Sequence, residues 1–134
     1  MRFVTDDFFH IGAEHVVGGK PCQDHAVSGS YGDAAYAVVS DGCSSGGATD
    51  VGARLVSLSA AAAIRAHWMS AHTATVGDAH PIAVETQIIL GGIQTVLRLE
   101  TRDMLATCIY GFMTPRGGFF HVRGDGAIAV VYND

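Results

Sequence analysis

The amino-acid sequence predicts an α+β domain built on antiparallel β-sheet. Strand-like segments dominate both ends of the chain, and two helix-like segments occupy the middle. The predicted order β-β-β-α-α-β-β-β groups the strands together instead of alternating them with helices, which favours antiparallel pairing. The 134 residues suit one hydrophobic core, so we expect residues 1–134 to form a single domain.

Three strands are predicted in the first third of the chain, over residues 8–17, 25–30 and 34–40. The third of them, Ala-Ala-Tyr-Ala-Val-Val-Ser, is nearly continuously apolar, as in a strand that is buried on both faces. It leads directly into Asp41 and Gly42. A buried strand therefore delivers a carboxylate to its end.

Two helices are predicted next, from about residue 50 to 69 and from Pro81 to Arg98, because apolar residues recur there at steps of three and four. The apolar positions of the first helix are Val51, Leu55, Leu58, Ala62, Ala66 and Met69. The remaining strands are predicted over 105–113, 118–123 and 127–132. The sequence Gly-Asp-Gly at 124–126 predicts the hairpin turn between the last two strands.

Composition and charge exclude several classes of protein. Apolar residues make up 49% of the chain, too many for a disordered protein, and the net charge is −5 with Lys20 as the single lysine. No basic face is available for nucleic acid. The uncharged run between Arg54 and Arg65 is shorter than the roughly 20 residues of a membrane span. Three widely spaced cysteines suit a reducing compartment, so we expect a cytoplasmic protein.

Acidic residues next to glycine mark the chemistry of this chain. Of its 13 acidic residues, ten are Asp, and those next to a predicted strand end include Asp24, Asp41 and Asp125. Each one alone is ordinary turn chemistry. Taken together, clustered carboxylates select hard ions such as Mg²⁺ or Mn²⁺.

Two other phosphate-binding motifs are excluded because each lacks a required residue. The glycines at 42 and 47 have the spacing of a P-loop, but Ala48 occupies the position of the required lysine. A cysteine-dependent phosphatase needs Arg six residues after its nucleophile, and none of the three cysteines has one; Cys43, for example, is followed at that distance by Thr49.

The Asp-bearing segments, in this order, resemble the metal-dependent protein phosphatase family, type 2C (PPM), in a bacterial form. The matching features are Gly-x-x-x-Gln-Asp at 19–24, Val-x-Asp-Gly with a Gly-rich loop and an Ala-rich helix at 38–63, and Gly-Asp-Gly at 124–126. Residues 104–108 resemble the strand that precedes the family's Gly-Asp turn. The resemblance implies an α-β-β-α sandwich of two antiparallel sheets flanked by helices.

The resemblance also implies an activity and a set of site residues. The activity is hydrolysis of phosphoserine or phosphothreonine in a protein substrate by metal-activated water, with two or more Mg²⁺ or Mn²⁺ ions. Asp41 would bridge two ions, and the Gly42 carbonyl would add a ligand. Asp24 would act mostly through bound water, and Asp125 would help to hold a third metal. Asp41 and Asp24 are thus the expected catalytic residues.

The sequence departs from the family pattern in ways that affect the expected activity. Gly19 stands where the family often has a phosphate-binding Arg, so we expect Lys20 or His15 to contact phosphate instead. Gln23 replaces a Glu of many members, and Cys43 replaces a His of some.

Further Asp ligands of the family lie downstream of the region that matches. The resemblance therefore implies the front part of a type-2C domain, incomplete at its C-terminus, or a member without normal activity. Two alternatives stay open: a noncatalytic phosphatase-like module for binding or regulation, and an unrelated α+β structural domain.

Overall fold

The fold is described from a computed structural model of the chain, over residues 3–131. Its helices and strands, in chain order, are α1 (Ala13–Val17), β1 (Asp24–Tyr31), β2 (Ala34–Asp41), α2 (Thr49–Ala71), α3 (Ala79–Leu97), β3 (Cys108–Thr114) and β4 (Gly117–Arg123). Two short 3₁₀ helices, Val76–Asp78 and Thr101–Met104, precede α3 and β3.

Four strands form the sheet of the described region, in the order β1-β2-β3-β4, and every neighbouring pair is antiparallel. Helices α2 and α3 cover one face, and the core lies between them and the sheet. Its fully buried side chains include Val38, Ile64, Ile82, Tyr110 and Phe112. Within residues 3–131, no helix has the length and apolar character needed to cross a membrane.

The predicted α+β class, with antiparallel sheet and flanking helices, is confirmed. Of the two sheets expected, residues 3–131 supply one. Its second face is apolar and open: Val39, Phe120 and Val122 alternate with core residues along their strands and are 49%, 47% and 50% exposed. This open outer face is the side on which a sandwich would place its other sheet.

The strand predicted over residues 8–17 is wrong. Residues 13–17 form the short helix α1, and residues 8–12 have no regular structure. The Asp7 carboxylate accepts hydrogen bonds from the backbone N–H and the hydroxyl of Ser28, at 2.9 and 2.8 Å. The Asp7 side chain thus accepts a hydrogen bond from a backbone N–H at the edge of β1, which a neighbouring strand would otherwise use for pairing.

The strand predicted over 127–132 is also wrong for residues 127–131, which have no regular structure; residue 132 lies outside the described range. The final hairpin turns at Pro115 and Arg116, between β3 and β4, and not at 124–126. Gly124 and Gly126 have φ values of 102° and 154°, and this backbone leads the chain away from β4 instead of pairing it back.

Both predicted helices are present, but α2 buries a different side from the one expected. Val51, Leu58 and Met69 are exposed, whereas the buried side consists mainly of small residues: Gly52, Ala53, Ser57, Ser59, Ala60, Ala61 and Ala63, with Val56, Ile64 and Trp68. Small side chains allow α2 to approach α3 and the sheet closely. Close packing, and not the spacing of the largest apolar residues, decides which side faces the core.

Candidate active site

The β1–β2 hairpin brings the first two predicted site residues together. Its two-residue connection contains Gly32, whose φ of 63° suits a tight turn. The connection sets Tyr31 opposite Ala34, and the same register then places Asp24 directly opposite Asp41. Cross-strand neighbours point to the same side of a sheet, so both carboxylates lie at one end of the open outer face.

Asp41 is fixed by the chain just before β3. Its backbone N–H donates to the Thr107 hydroxyl at 2.9 Å, and its carbonyl accepts from the Thr107 N–H at 2.8 Å. The buried Ser40 hydroxyl donates to the Thr107 carbonyl at 2.6 Å. These bonds hold the backbone of Asp41 while its carboxylate stays exposed.

Asp125 and His15 complete the surroundings of Asp41. Partial burial, the hydrogen bond with Asp24 and the negative charges of Asp24 and Asp125 raise the pKa of Asp41, and the positive charge of His15 opposes this rise. Like charges disfavour a second ionised carboxylate nearby. Asp24, Asp41 and Asp125, here called the carboxylate cluster, therefore give this end of the sheet a negative electrostatic potential.

The carboxylate cluster lines a cleft of about 450 Å³ on the open outer face. The N-terminal segment contributes Phe9 to its wall, and Thr107 also lines it. Gly124 packs against Thr107 so closely that a side chain in its place would collide with that residue. This contact keeps Asp125, one residue further on, beside the end of the sheet.

Gly42 follows Asp41 and is held on both sides. Its N–H donates to the Gln23 carbonyl at 2.9 Å, and Gly42 forms an isolated antiparallel bridge with Ala106. A Cβ at this position would collide with the Thr49 carbonyl. Gly42 is a buried residue, and within the described residues its carbonyl accepts no hydrogen bond. A carbonyl without a hydrogen-bond partner, next in the chain to the Asp41 carboxylate, has the chemistry of a ligand for a hard cation.

The loop between Gly42 and α2 is anchored by a residue that the sequence reasoning missed. The Asp103 carboxylate accepts the Ala48 N–H at 2.8 Å and the Glu100 N–H at 2.8 Å. These bonds lower the pKa of Asp103. The spacing of Glu100 and Asp103 is that of a capping box and was the available signal. The sequence also did not identify Thr107 as a site residue, although it lies in the segment 104–108 that resembles a strand of the family.

The two residues expected to contact phosphate are placed differently. His15 in α1 is half-buried, its Nδ1 is 3.0 Å from the Pro21 carbonyl, and its charge acts on Asp41. Lys20 is exposed, and its backbone N–H donates to the His15 carbonyl at 2.9 Å. Of the two, His15 is the residue whose charge, when its ring is protonated, lowers the pKa of Asp41.

The donor set fits a divalent cation only in part. Over residues 3–131, no group of three or more His, Cys, Asp or Glu side chains is close enough together to hold a metal ion. The opposed pair Asp24 and Asp41 and the free Gly42 carbonyl are hard oxygen donors of the kind that Mg²⁺ and Mn²⁺ prefer. Asp125 lies close enough to act electrostatically on this pair.

An α+β fold whose carboxylates meet at the ends of adjacent strands is consistent with a metal-dependent hydrolase. A family model described as protein phosphatase 2C matches residues 11–134, and the chain therefore belongs to the protein phosphatase 2C family. Membership of this family indicates a phosphatase-type function and generally implies the use of divalent metal ions. No significant match was found among curated proteins or among solved structures.

Proposed function

We propose that this chain is a serine/threonine phosphoprotein phosphatase domain that depends on Mg²⁺ or Mn²⁺. The observation that carries the proposal is the register of the β1–β2 hairpin, which sets Asp24 opposite Asp41 at the end of an open sheet face. Membership of the protein phosphatase 2C family supports the same reaction class.

The proposed roles follow from the positions of the oxygen donors. Asp41 and Asp24 would hold the ions between them, the Gly42 carbonyl would add a ligand, and Asp125 would contribute to a more weakly held ion. Divalent ions held there would supply the positive charge that lowers the pKa of water from 15.7 toward roughly 7 and neutralises the phosphoryl group. Without such charge, the carboxylate cluster of a protein with net charge −5 repels an anionic substrate.

His15 is the proposed phosphate contact of this site, with Lys20 as the second choice. The Nδ1 of His15 faces the Pro21 carbonyl at 3.0 Å, which orients the ring and leaves Nε2 as the second hydrogen-bonding atom. Lys20 offers a mobile point charge and lacks the planar fork of the family's arginine. Either residue would bind and orient the phosphate through charge and hydrogen bonding.

The direct test is hydrolysis of p-nitrophenyl phosphate and of a phosphothreonine peptide, with Mn²⁺ and with EDTA. We expect manganese-dependent turnover that falls on the order of 1,000-fold in Asp41→Asn, because metal ions contribute several kcal/mol to such transition states. Asp33→Asn is the matched control, since Asp33 is an exposed Asp in the turn at the other end of the hairpin. Turnover that survives EDTA or Asp41→Asn would refute the assigned site.

A noncatalytic phosphatase-like binding module is the second candidate. It is favoured by the absence, within residues 3–131, of three ligating side chains close together, and by Gly19 at the position of the family's arginine. This candidate predicts saturable binding of the phosphothreonine peptide by calorimetry with no release of phosphate. Phosphate release that depends on Mn²⁺ and on Asp41 excludes it.

A further inference from the structure

A second cleft lies on the other side of the sheet from the carboxylate cluster. It has a volume of about 520 Å³ and is bounded by α3, the 3₁₀ helix Thr101–Met104 and strands β3 and β4. We call it the α3–β4 cleft. The strand residues that line it lie on the face of the sheet that the helices cover. Arg123, for example, is the cross-strand partner of Cys108, which is buried on that face. The volume lies within the range of small-molecule sites.

The floor of the α3–β4 cleft is apolar. Leu90 of α3, Val56 of α2 and Met104 of the 3₁₀ helix contribute aliphatic and thioether surface. Cys108 and Tyr110 form its base and are themselves buried, at 9% and 2% exposure. Burial raises the pKa of the Cys108 thiol to about 11, so this thiol behaves as an apolar group. Such a floor suits the carbon body of a ligand.

One end of the α3–β4 cleft is polar and positively charged. Arg123 is exposed at the cleft, and His121 stacks on Tyr110 with ring centroids 4.9 Å apart and planes inclined by 23°. None of the residues lining the cleft is acidic, although the chain carries 13 acidic residues. Among residues 3–131, no carboxylate pairs with Arg123. A guanidinium beside an apolar floor, with no acid of its own, suits the head group of an anion.

His121 adds hydrogen-bonding capacity and little charge. Burial and the positive charge of Arg123 lower the pKa of His121 below 6.5, which keeps the ring neutral at pH 7. Within the described part of the chain, neither ring nitrogen of His121 has a protein hydrogen-bond partner. The exposed Gln87 side chain on α3 also lines the cleft. These groups can hold the oxygens of a carboxylate that the charge of Arg123 attracts.

We propose that the α3–β4 cleft binds a small organic carboxylate, with its head group on Arg123 and its apolar body over Leu90 and Met104. The site is distinct from the carboxylate cluster in both place and charge. Occupation of this cleft needs no divalent ion, so its test does not depend on the proposed phosphatase activity.

The first experiment uses 4-phenylbutyrate as the probe and follows the backbone amides of ¹⁵N-labelled protein by NMR in EDTA. We expect saturable shifts confined to α3, β4 and the 3₁₀ helix, with a Kd on the order of 1 mM for a ligand of this size. The neutral analogue 4-phenylbutanamide should bind about tenfold more weakly, and inorganic phosphate should leave these amides unshifted. No saturable shift, or equal binding of the neutral amide, would overturn the proposal.

A charge variant tests the head-group contact. Arg123→Gln should weaken 4-phenylbutyrate binding about tenfold, because a charge-assisted hydrogen bond is lost. Arg116→Gln is the matched control: it removes the same charge from the turn at the opposite end of the β3–β4 hairpin and should leave the Kd unchanged. Equal effects of the two substitutions would show a response to net charge only and would refute the contact.

A steric variant tests the location of the apolar body. Gly91 lines the α3–β4 cleft, its neighbour Gly92 does not, and a Cβ at either position meets no atom within 4 Å. Gly91→Phe should therefore fill the cleft and abolish probe binding, whereas Gly92→Phe should preserve it. The Cβ of either variant meets no neighbouring atom, so we expect α3 to persist and the two proteins to have equal far-UV circular dichroism. Unchanged binding in Gly91→Phe would place the probe elsewhere.

Discussion

Replacing Asp41 with Asn should stabilise the metal-free protein while it abolishes the proposed metal site. Asp24 and Asp41 are direct cross-strand partners. At a typical separation of about 5 Å, two unit charges repel by about 3 kcal/mol at an effective dielectric constant of 20 and by about 0.8 kcal/mol in bulk water. Both side chains are exposed, so the lower figure applies, and we expect a gain of about 1 kcal/mol in the free energy of unfolding.

The assay for this gain is thermal unfolding in EDTA at low ionic strength. For a chain of this length, about 1 kcal/mol corresponds to a rise of about 4 °C in Tm. Asp24→Asn should give a similar rise, because it removes the other charge of the same pair. Asp33→Asn, an exposed Asp in the hairpin turn, should change Tm by less than about 1 °C.

Two changes of solvent test the origin of this gain: pH tests whether ionisation of Asp41 costs stability, and salt tests whether charge repulsion contributes to that cost. In the folded protein the pKa of Asp41 is raised above its ordinary value of 3.8. The free energy of unfolding of the wild type therefore falls as pH rises from 3.8 to above this raised pKa. The advantage of Asp41→Asn should therefore vanish below pH 3.8. At 1 M NaCl, where the screening length is about 3 Å, it should shrink.

Manganese should reverse the order of stability of the two proteins if it binds at the proposed site. At a concentration 100 times its Kd, Mn²⁺ should stabilise the wild type by about 2.7 kcal/mol, and Asp41→Asn should lose this gain. A lower Tm for Asp41→Asn in EDTA, or an equal rise in Asp33→Asn, would refute the reasoning from local repulsion.

Three further predictions concern residues that surround the site. Gly42→Ala should lower the free energy of unfolding by more than about 2 kcal/mol in urea titrations, because the added methyl group collides with a backbone carbonyl of α2. Gly12→Ala is the control, since a methyl group at that position meets open space. Iodoacetamide at pH 7.5 should modify the exposed Cys43 in the native protein and Cys108, whose pKa is about 11, only after unfolding. Hydrogen bonds lower the pKa of Asp103. The ionised Asp103 carboxylate therefore stabilises the protein fully above pH 3.8, and this stabilisation is lost as pH falls through the lowered pKa. In urea titrations, the difference in free energy of unfolding between wild type and Asp103→Asn should disappear at that low pH.

These predictions have clear contrary outcomes. Equal destabilisation by the two glycine substitutions would mean that the collision at Gly42 is relieved by movement of α2. Rapid native-state labelling of Cys108 would show that the base of the α3–β4 cleft opens readily. A pH-independent difference between wild type and Asp103→Asn would mean that the carboxylate charge does not hold the loop.

The pairing of Asp24 with Asp41 was within reach of the sequence, because turn chemistry and strand length together fix a hairpin register. Gly32 marks the turn, and seven steps outward from Tyr31 and Ala34 lead to the two acids. The approach of Asp125 was not predictable in the same way. It depends on the bend at Gly124 and its contact with Thr107, whereas the Gly-Asp-Gly sequence alone favours a hairpin.

The wrong predictions from the sequence have one physical origin: a local sequence pattern does not show which other parts of the chain pack against a helix or strand. The large apolar residues of α2 indicated a buried side, but close packing selected the alanine side. Residues 8–17 resemble a strand, but the Asp7 side chain occupies the sheet edge. The α3–β4 cleft left no sequence motif, because Leu90 and Arg123 are 33 residues apart and meet only through the packing of a helix on a strand.

The stability of the carboxylate cluster and the cover of the open outer face are physically coupled. Asp24 and Asp41 lie on the same side of the sheet as the exposed Val39 and Val122, since alternation along each strand fixes their side. Any protein surface that buries these apolar residues also removes water from the adjacent acids. Loss of water raises the free energy of two opposed carboxylates, and a divalent cation offsets this rise. A covered outer face and a metal ion at the proposed site would therefore stabilise each other, and Mn²⁺ should bind most tightly to the form of the protein in which this face is buried.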